Sequence, residues 1–304
     1  MSTLMVFKLV IFESCILDGL HYSISILFNA NGISENVLDF FSYLFSISGY
    51  RNTPINCKIH PWFVTGFCDG ESSFGVSLEK TFKCKSGWQA RALFQLGLHK
   101  KDRVVLENIK SYFGVGQIYE QDSSADVYKV QSVKDFNVII DHFSKYPLIT
   151  QKRGDFELWK LVVEIIQNKE HLTMQGLQKI VAIRATLNRG LTDKLKAAFP
   201  DVVSVNRPLI TSQKIYHPQW LSGFTSGEGS FWIEIAKSKT KLGVAVNLKF
   251  KLAQHVRDEQ LFMSLVEYLG SGKIYFDSEA VYYRVAKYSG ISEKIIPFFF
   301  FFFL

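Results

Sequence analysis

The sequence has few of the features that mark secreted or membrane proteins. It contains four cysteines in 304 residues, and none forms a CxxC pair or a His/Cys cluster at zinc-binding spacing. The thiols are predicted to be buried in a reducing compartment; they are Cys15, Cys57, Cys68 and Cys84. No apolar run reaches the roughly 20 residues that cross a bilayer. The N-terminal stretch MVFKLVIFESCIL contains two charges and no cleavage site of small residues, so we expect no signal peptide.

The sequence also lacks an acidic surplus. Its 35 Lys and Arg residues outnumber its 28 Asp and Glu residues, which gives a formal net charge of +7. This balance favours a polyanionic partner such as nucleic acid, although basic proteins without such a partner are common. A hydrophobic fraction of 47% and a charged fraction of 21% predict a globular chain, long enough for two domains with separate cores.

A long internal repeat organises the chain. The phrase HPWFVTGFCDGESSF at residues 60–74 returns as HPQWLSGFTSGEGSF at residues 217–231, 157 positions later (217 − 60). Farther on, FQLGLHKKD (94–102) returns as FKLAQHVRD (250–258) at an offset of 156 (250 − 94), and GVGQIY (114–119) returns as GSGKIY (270–275). An offset this steady indicates a duplicated unit with short insertions.

Each copy predicts the same order of elements. The proline at the second position of the phrase suits the first turn of a helix. Alternating apolar residues at the end of the phrase and after it predict a strand. A second strand, a helix, a hairpin and another helix follow, so each lobe is αββαββα with an antiparallel sheet and the fold class is α+β. The predicted domains are an unassigned N-terminal extension (1–57), a first lobe (58–187), a linker (188–212) and a second lobe (213–304).

The repeat distinguishes between the acids of the phrase. Glu71 coincides with Glu228, whereas Asp69 coincides with Ser226 and is not part of the repeated pattern. A glutamate at the C-terminal end of a helix is disfavoured by the helix dipole. A helix-capping role therefore explains poorly why the glutamate recurs in both copies of the repeat. Paired carboxylates in a basic protein suit Mg²⁺ ions that activate water and stabilise the leaving oxygen of a phosphodiester.

The phrases VTGFCDGES (64–72) and LSGFTSGEG (221–229) resemble the two signature helices of single-chain LAGLIDADG homing endonucleases encoded in fungal mitochondrial introns. The resemblance covers about residues 58–297. It implies the homing endonuclease fold, with two lobes related by a pseudo-twofold axis and two saddle-shaped sheets. It also implies site-specific hydrolysis of double-stranded DNA, a mitochondrial location, and a monomer with internal pseudo-symmetry and no membrane association.

The resemblance also assigns roles to residues. It implies that Glu71 and Glu228, each with the preceding Gly70 or Gly227, bind a divalent metal, magnesium or manganese. Lys152 and Gln254 match two further catalytic positions of the family, although an exposed lysine and a polar strand residue are common without any catalytic role. The implied partner is a DNA target of about twenty base pairs, with each lobe contacting one half-site.

Strand alternation predicts which side chains face DNA, because residues two apart lie on one side of a sheet. Gln, Asn, Arg and Lys can pair with base edges in the major groove. A solvent-exposed sheet face would alternate in the same way, but it would usually carry mixed charges. The predicted DNA-binding residues are Ser73, Ser77, Gln89, Arg91, Gln95, Gln117, Tyr119, Lys129, Gln131, Ser230, Trp232, Glu234, Asn247, Lys249, Lys251, Lys273, Tyr275 and Arg284. The loop SKTKLG (238–243) adds positive charge for phosphate contacts. Four histidines that recur in register are predicted to be structural; they are His60, His99, His217 and His255.

Two regions depart from the family pattern. Residues 1–57 match nothing in it. The second lobe ends in FFFFFFL, where the first continues through YPLITQKRGDFELWK and two more helices. A phenylalanine run is what T-rich DNA encodes, so we expect frame slippage or a premature end here, with apolar surface left exposed. A non-cleaving nucleic-acid binder, either a maturase acting on intron RNA or an inactive remnant, therefore stays open as the alternative function.

Overall fold

The computed structural model describes residues 59–239 and 243–302. The predicted N-terminal extension and part of the 238–243 loop lie outside these ranges. The described residues fall into two compact units that divide between Ile215 and Tyr216. Residues 59–215 are called the first unit below and residues 216–302 the second unit.

The first unit contains the predicted αββαββα order and continues beyond it. Its elements are α1 (Pro61–Glu71), β1 (Ser72–Lys80), β2 (Trp88–His99), α2 (Arg103–Phe113), β3 (Gln117–Glu120), β4 (Ala125–Val130), α3 (Phe136–Lys145), α4 (Lys152–Gln167), α5 (Met174–Thr186) and α6 (Asp193–Ala198). The helix at the end of the predicted repeat, α3, is followed by α4, which is strongly amphipathic, and by α5, which is only weakly so.

The second unit repeats the same order. Its elements are α7 (Pro218–Glu228), β5 (Gly229–Lys237), β6 (Val244–His255), α8 (Glu259–Leu269), β7 (Lys273–Asp277), β8 (Ala280–Val285), α9 (Tyr288–Gly290) and α10 (Ile296–Phe302), with a π-helical turn at Ile291–Ile295 between the last two. Both α2 and α8 end at a glycine in the left-handed conformation, Gly114 with φ 68° and Gly270 with φ 63°. Glycine adopts this φ without the steric cost that other residues bear.

Each unit has one antiparallel four-stranded sheet, and the two sheets have matching topology. The strand orders are β1-β2-β4-β3 and β5-β6-β8-β7. The long pairing of the first two strands also has the same register in both sheets, because Phe74 lies opposite Phe94 and Phe231 lies opposite Phe250. The α+β fold class and the repeat of two αββαββα lobes are confirmed.

One face of the first sheet forms an aromatic core with the helices. The Phe74 ring lies 5.3 Å from that of Phe94, 5.7 Å from that of Phe143 on α3 and 5.5 Å from that of Trp159 on α4. All four side chains are buried. Burying a phenylalanine contributes about 1.5–3 kcal/mol relative to exposure, so this cluster explains why α3 and α4 stay on the same side of the sheet.

The second unit builds its core with the phenylalanine run. Phe299 is fully buried, and its ring lies 5.9 Å from that of Phe231 and 5.5 Å from that of Phe250. Its position matches that of Phe143 at the repeat offset of 156 (299 − 143). Phe298 and Phe299, the first two residues of the run, thus continue the repeat in register, as the alignment of IIPFF (295–299) with IIDHF (139–143) predicts. Apolar exposure does occur farther on, where Phe301 is 74% exposed.

The four recurring histidines begin four helical turns. In each case the side chain accepts a hydrogen bond at Nδ1 from the backbone N–H two residues later, at 3.1–3.2 Å: Trp62, Lys101, Gln219 and Arg257 are the donors for His60, His99, His217 and His255. Such a cap satisfies a backbone donor that the first turn of a helix leaves unpaired. The structural prediction for these histidines is confirmed.

The segment after α6 lies along the first unit. Arg207 forms an ion pair with Asp155 at 2.8 Å, and the Gln151 side chain exchanges two hydrogen bonds with the backbone of Ile210. A side chain at Gly154 would meet the Pro208 carbonyl oxygen at 2.7 Å, so glycine is required where this segment crosses the start of α4.

Among the described residues, no helix has the length and apolar character needed to cross a bilayer. Two of the four cysteines are described, and both are free thiols. Cys68 is buried as predicted, and burial raises the pKa of its thiol well above the usual range. Cys84 is only half-buried, which corrects the prediction for that residue, while Cys15 and Cys57 lie outside the described residues.

Candidate functional site

In the first unit, a lysine lies against the helix end that carries the repeated glutamate. Glu71 is the last residue of α1, and its side chain is half-buried. The Lys152 Nζ atom donates to the carbonyl oxygen of Gly70 at 2.7 Å and to that of Cys68 at 3.1 Å. An ammonium group at a helix C-terminus is favourable, because it satisfies free carbonyl groups and complements the helix dipole. The structure therefore brings together three of the predicted residues: Gly70, Glu71 and Lys152.

In the second unit, an amide takes the place of the ammonium group. Glu228 ends α7, and its Oε1 atom lies 3.5 Å from the Gln254 Nε2 atom, at the outer limit of a hydrogen bond. The Gln254 Oε1 atom accepts from the backbone N–H of His255 at 3.0 Å, which fixes the orientation of the amide. The position that matches Gln254 in the first unit is Leu98, which is buried.

Glu228 and Gln254 lie at the wall of an open pocket. Its volume is about 320 Å³, and acidic residues of the β7–β8 turn, Asp277 and Glu279, also line it. The pocket is open to solvent, so water and a phosphate oxygen could reach the Glu228 carboxylate.

The donor atoms in both units suit a hard divalent cation. Each helix end offers a glutamate carboxylate and a preceding glycine carbonyl, and Mg²⁺ prefers oxygen ligands of this kind while keeping several waters. Gly227 is buried at its helix end, and the Gly70 carbonyl already accepts the Lys152 ammonium group, so a cation there would share that oxygen or displace the lysine. The described ranges contain no group of three or more His, Cys, Asp or Glu residues placed to hold a metal.

The open face of the first sheet carries most of the predicted polar residues. Cross-strand pairing places Ser73 beside Gln95, Ser77 beside Arg91, Glu79 beside Gln89, and Lys129 beside both Gln95 and Gln117. Tyr119 is exposed, and the Lys129 ammonium group lies 5.9 Å from its ring centre. Gln131 follows the last residue of β4, so its assignment to the hairpin strand was wrong, although its side chain is exposed.

The open face of the second sheet is more highly charged. Pairing places Ser230 beside Lys251, Trp232 beside Lys249, Glu234 beside Asn247, and Arg284 beside both Lys251 and Lys273. The predicted cluster of adjacent basic residues is therefore present. Two of its cations also cover tyrosine rings: Lys251 lies 4.3 Å from the centre of Tyr282 and Arg284 lies 4.9 Å from that of Tyr275.

One member of the basic cluster is already neutralised. Lys249 forms an ion pair with Glu234 at 2.8 Å, and Asn247 donates to the same carboxylate at 3.1 Å. These hydrogen bonds, that from Lys249 first, lower the pKa of Glu234. The pKa of Lys251 is also lowered, by partial burial and then by the positive charge of Arg284. The second face is thus a mixed network with a basic excess.

Comparison with known proteins agrees with this geometry. The profile of the LAGLIDADG endonuclease family matches residues 64–163 and 221–302, which include both helix ends and both sheets. The chain belongs to the LAGLIDADG endonuclease family.

Curated and solved LAGLIDADG proteins are similar over most of this chain. A Neurospora crassa protein named probable intron-encoded endonuclease 3 is 38% identical over 85% of this chain and 49% of its own length. The solved structure of I-SmaMI bound to an uncleaved DNA target with calcium ions is 44% identical, with a TM-score of 0.79, and covers 81% of this chain and 85% of that one. I-SmaMI bound to cleaved DNA has the same identity and TM-score. The chain spans about half the length of the curated relatives it matches first.

Asp69 is the residue near the site that the sequence analysis passed over. It was set aside because Ser226 replaces it in the repeat, yet its carboxylate is buried and accepts from the Thr150 hydroxyl, which in turn accepts from the Lys152 backbone N–H. An aspartate inside a helix that is otherwise apolar and small was the available signal, since a buried charge requires compensating partners.

Proposed function

We propose that this chain is a divalent-metal-dependent, site-specific endonuclease that acts on double-stranded DNA. The observation that carries the proposal is a repeated arrangement, in which a nitrogen donor lies at the helix end that carries a glutamate. The Lys152 Nζ atom donates to the Gly70 carbonyl oxygen beside Glu71, and the Gln254 Nε2 atom lies 3.5 Å from the Glu228 carboxylate. Two such carboxylates, one in each unit, match the two phosphodiester bonds that a double-strand break requires. The family membership and the DNA-bound structures of I-SmaMI support the same activity.

In this proposal the carboxylates hold the metal and the nitrogen donors act near the phosphate. A bound Mg²⁺ or Mn²⁺ ion would supply Lewis-acid stabilisation of the phosphate and acidify a water molecule. Glu71 with Gly70, and Glu228 with Gly227, would hold it. The Lys152 ammonium group would stabilise negative charge on phosphate oxygens, and the Gln254 amide would orient the Glu228 carboxylate or a water beside it.

The sheet faces would hold the DNA. Arg91, Lys129 and the paired glutamines of the first face, and Lys251, Lys273 and Arg284 of the second, combine donors for base edges with charges for phosphates. Each face would contact one half of a target of about twenty base pairs. The remaining predicted DNA contacts lie on these same two faces, apart from Gln131.

The direct test is cleavage of duplex DNA that spans the junction of the two exons flanking an intron with this reading frame. The purified protein is incubated with Mg²⁺, Mn²⁺ or Ca²⁺, and both strands are labelled. We expect cleavage of both strands by the wild type with Mg²⁺ or Mn²⁺. We expect a loss of at least about 10²-fold for Glu71→Gln and for Glu228→Gln, because each removes a metal-binding charge. Glu164→Gln, at an exposed position of α4, is the matched control and should cleave normally.

The other outcomes define the alternatives. Specific binding of the duplex without cleavage, under every metal condition, would contradict the nuclease and favour a DNA-binding remnant. Binding of the intron transcript in preference to the duplex would favour an RNA maturase. A mitochondrial origin is supported by the similarity to fungal proteins named as intron-encoded endonucleases, and localisation of the tagged protein to mitochondria would test it.

A further inference from the structure

Asp69 is a fully buried carboxylate that holds a distant segment of the chain. It lies on α1, two residues before Glu71, with 0% exposure. Its Oδ2 atom accepts from the Ile149 backbone N–H at 2.8 Å, and its Oδ1 atom accepts from the Thr150 backbone N–H at 3.2 Å and from the Thr150 hydroxyl at 2.6 Å. A buried carboxylate with three such donors is stabilised by charge-assisted hydrogen bonds, and the donors are fixed in return.

The Thr150 hydroxyl connects the Asp69 carboxylate to Lys152. While it donates to Asp69, the same oxygen accepts from the Lys152 backbone N–H at 3.2 Å. Lys152 is the first residue of α4, so this contact sets where the helix begins. From that position the Lys152 Nζ atom reaches back to the Gly70 and Cys68 carbonyl oxygens beside Glu71. The contacts thus form a closed loop that starts and ends on α1.

We propose that Asp69 is the positioning residue for Lys152, and that it acts through the Thr150 hydroxyl to hold the ammonium group beside Glu71. The inference rests on the proposed function for its catalytic consequence, but the geometry that it asserts can be tested without DNA. Asp69 touches neither the phosphate nor the metal in this proposal.

The second unit shows why the acid is absent from the repeat. Ser226 occupies the matching position, and its hydroxyl donates to the Ser222 carbonyl oxygen of its own helix at 2.9 Å. The site of that unit takes its nitrogen donor from the neighbouring strand, through Gln254, and so needs no anchored segment. The unit that uses Lys152 therefore has Asp69, and the unit that uses Gln254 has Ser226 at the matching position.

The first experiment measures the accessibility of Lys152. The protein is reductively methylated with formaldehyde for short times, and modification of Lys152 is measured by peptide mass spectrometry against Lys160, a lysine of the same helix whose side chain is 43% exposed. We expect Asp69→Asn and Thr150→Val to raise the modification rate of Lys152 several-fold relative to Lys160. Thr150→Ser, which keeps the hydroxyl, and Ser226→Ala should match the wild type. An unchanged Lys152 rate in folded Asp69→Asn and Thr150→Val would overturn the proposal.

The second experiment is a double-mutant cycle for cleavage under single-turnover conditions on the exon-junction duplex. Asp69→Asn should lower the cleavage rate on the order of 10- to 100-fold with little change in DNA affinity, because a small displacement of a catalytic group has effects of this size. In a Lys152→Met background the same substitution should cost almost nothing further. An equal loss in both backgrounds would indicate a purely structural role and would contradict the proposal.

The two experiments separate this inference from the proposed function. If the wild type does not cleave DNA but Lys152 becomes reactive in Asp69→Asn and Thr150→Val, the positioning role stands and the nuclease proposal fails. If one of these variants does not fold, as judged by circular dichroism, the other still tests the connection from Asp69 through Thr150 to Lys152. The two substitutions remove opposite ends of the same hydrogen bond.

Discussion

The interiors of the two units differ at two of three matching positions behind their sheets, and the remaining position is a tyrosine in both. In the first unit the Thr65 hydroxyl and the Tyr112 hydroxyl each lie 3.1 Å from a ring nitrogen of His142. In the second unit Ser222, Tyr268 and Phe298 occupy these places, and the tyrosine and phenylalanine rings lie 6.2 Å apart. The Ser222 hydroxyl has no hydrogen-bond partner within the described part of the chain.

The comparison shows which features of a duplicated core can change. A ring is kept at the third position in both units, and Phe143 and Phe299 fill the same space beside it. Hydrogen bonding is present in one copy only. Ring volume is therefore the shared requirement, as expected for interiors that are packed at crystal density.

The largest expected effect comes from removing the phenylalanine that both units share, Phe143 or Phe299. Phe143→Ala and Phe299→Ala should each lower the free energy of unfolding of their unit by about 3–5 kcal/mol, because each leaves a large cavity between a helix and its sheet. Urea unfolding followed by fluorescence would measure the loss. Phe301→Ala, in the same run but largely exposed, should lower it by less than about 0.5 kcal/mol. Equal effects of the two phenylalanine-run variants would contradict the described packing.

The next largest effect should come from converting the first interior into the second. His142→Phe removes two buried hydrogen bonds and should lower the free energy of unfolding by about 1–3 kcal/mol near pH 7. Tyr112→Phe removes only one of them and is the matched control with the smaller loss.

The same substitution should also change the pH dependence of stability. Burial lowers the pKa of His142 from 6.5 to about 3, so the folded protein keeps it neutral where the unfolded chain would be protonated. The unfolded chain therefore binds the extra proton between about pH 6.5 and pH 3. The contribution of His142 is fully present above about pH 6.5 and is lost progressively as the pH falls. Urea midpoints measured from about pH 7 to about pH 5 should fall less steeply in His142→Phe than in the wild type.

A smaller difference is expected between Thr65 and Ser222, which occupy matching positions in the two units. Thr65→Val should destabilise the first unit by about 1–2 kcal/mol, because it removes the hydroxyl that contacts His142 and donates to the Tyr146 carbonyl oxygen. Ser222→Ala, at the matching position, should be neutral or slightly stabilising, because it removes a buried hydroxyl without a described partner. A large loss for Ser222→Ala would show that this hydroxyl is hydrogen-bonded in solution.

The smallest effect should appear on the open sheet faces. Glu234→Gln removes the carboxylate that pairs with Lys249, so we expect somewhat tighter binding of the target duplex and a steeper dependence on salt. Ser77→Gln, at the matching position of the first sheet, releases no cation and should leave the salt dependence unchanged. Binding isotherms at several salt concentrations would distinguish the two, and identical slopes would count against the role of Lys249 in phosphate contact.

Sequence reasoning predicted the features that the repeat states twice. The element order, the pairing of Glu71 with Glu228 and the structural histidines all follow from two aligned copies, because residue type and spacing recur together. The role of Asp69 was not predicted, because its hydrogen-bond partners lie 80 and 81 positions away and occur in one copy only. The departure from the repeat begins after Phe299, where a run of identical residues gives no pattern that separates packed positions from exposed ones.

That uniformity has a consequence for how the gene can vary. Phe298 and Phe299 supply the described contacts with Tyr268 and the sheet, and the residues that follow them up to Phe303 are the same amino acid. Gain or loss of a whole codon within the run would therefore leave both packing positions occupied by phenylalanine. The packing that this run supplies to the core is thus insensitive to a change in its length by whole codons.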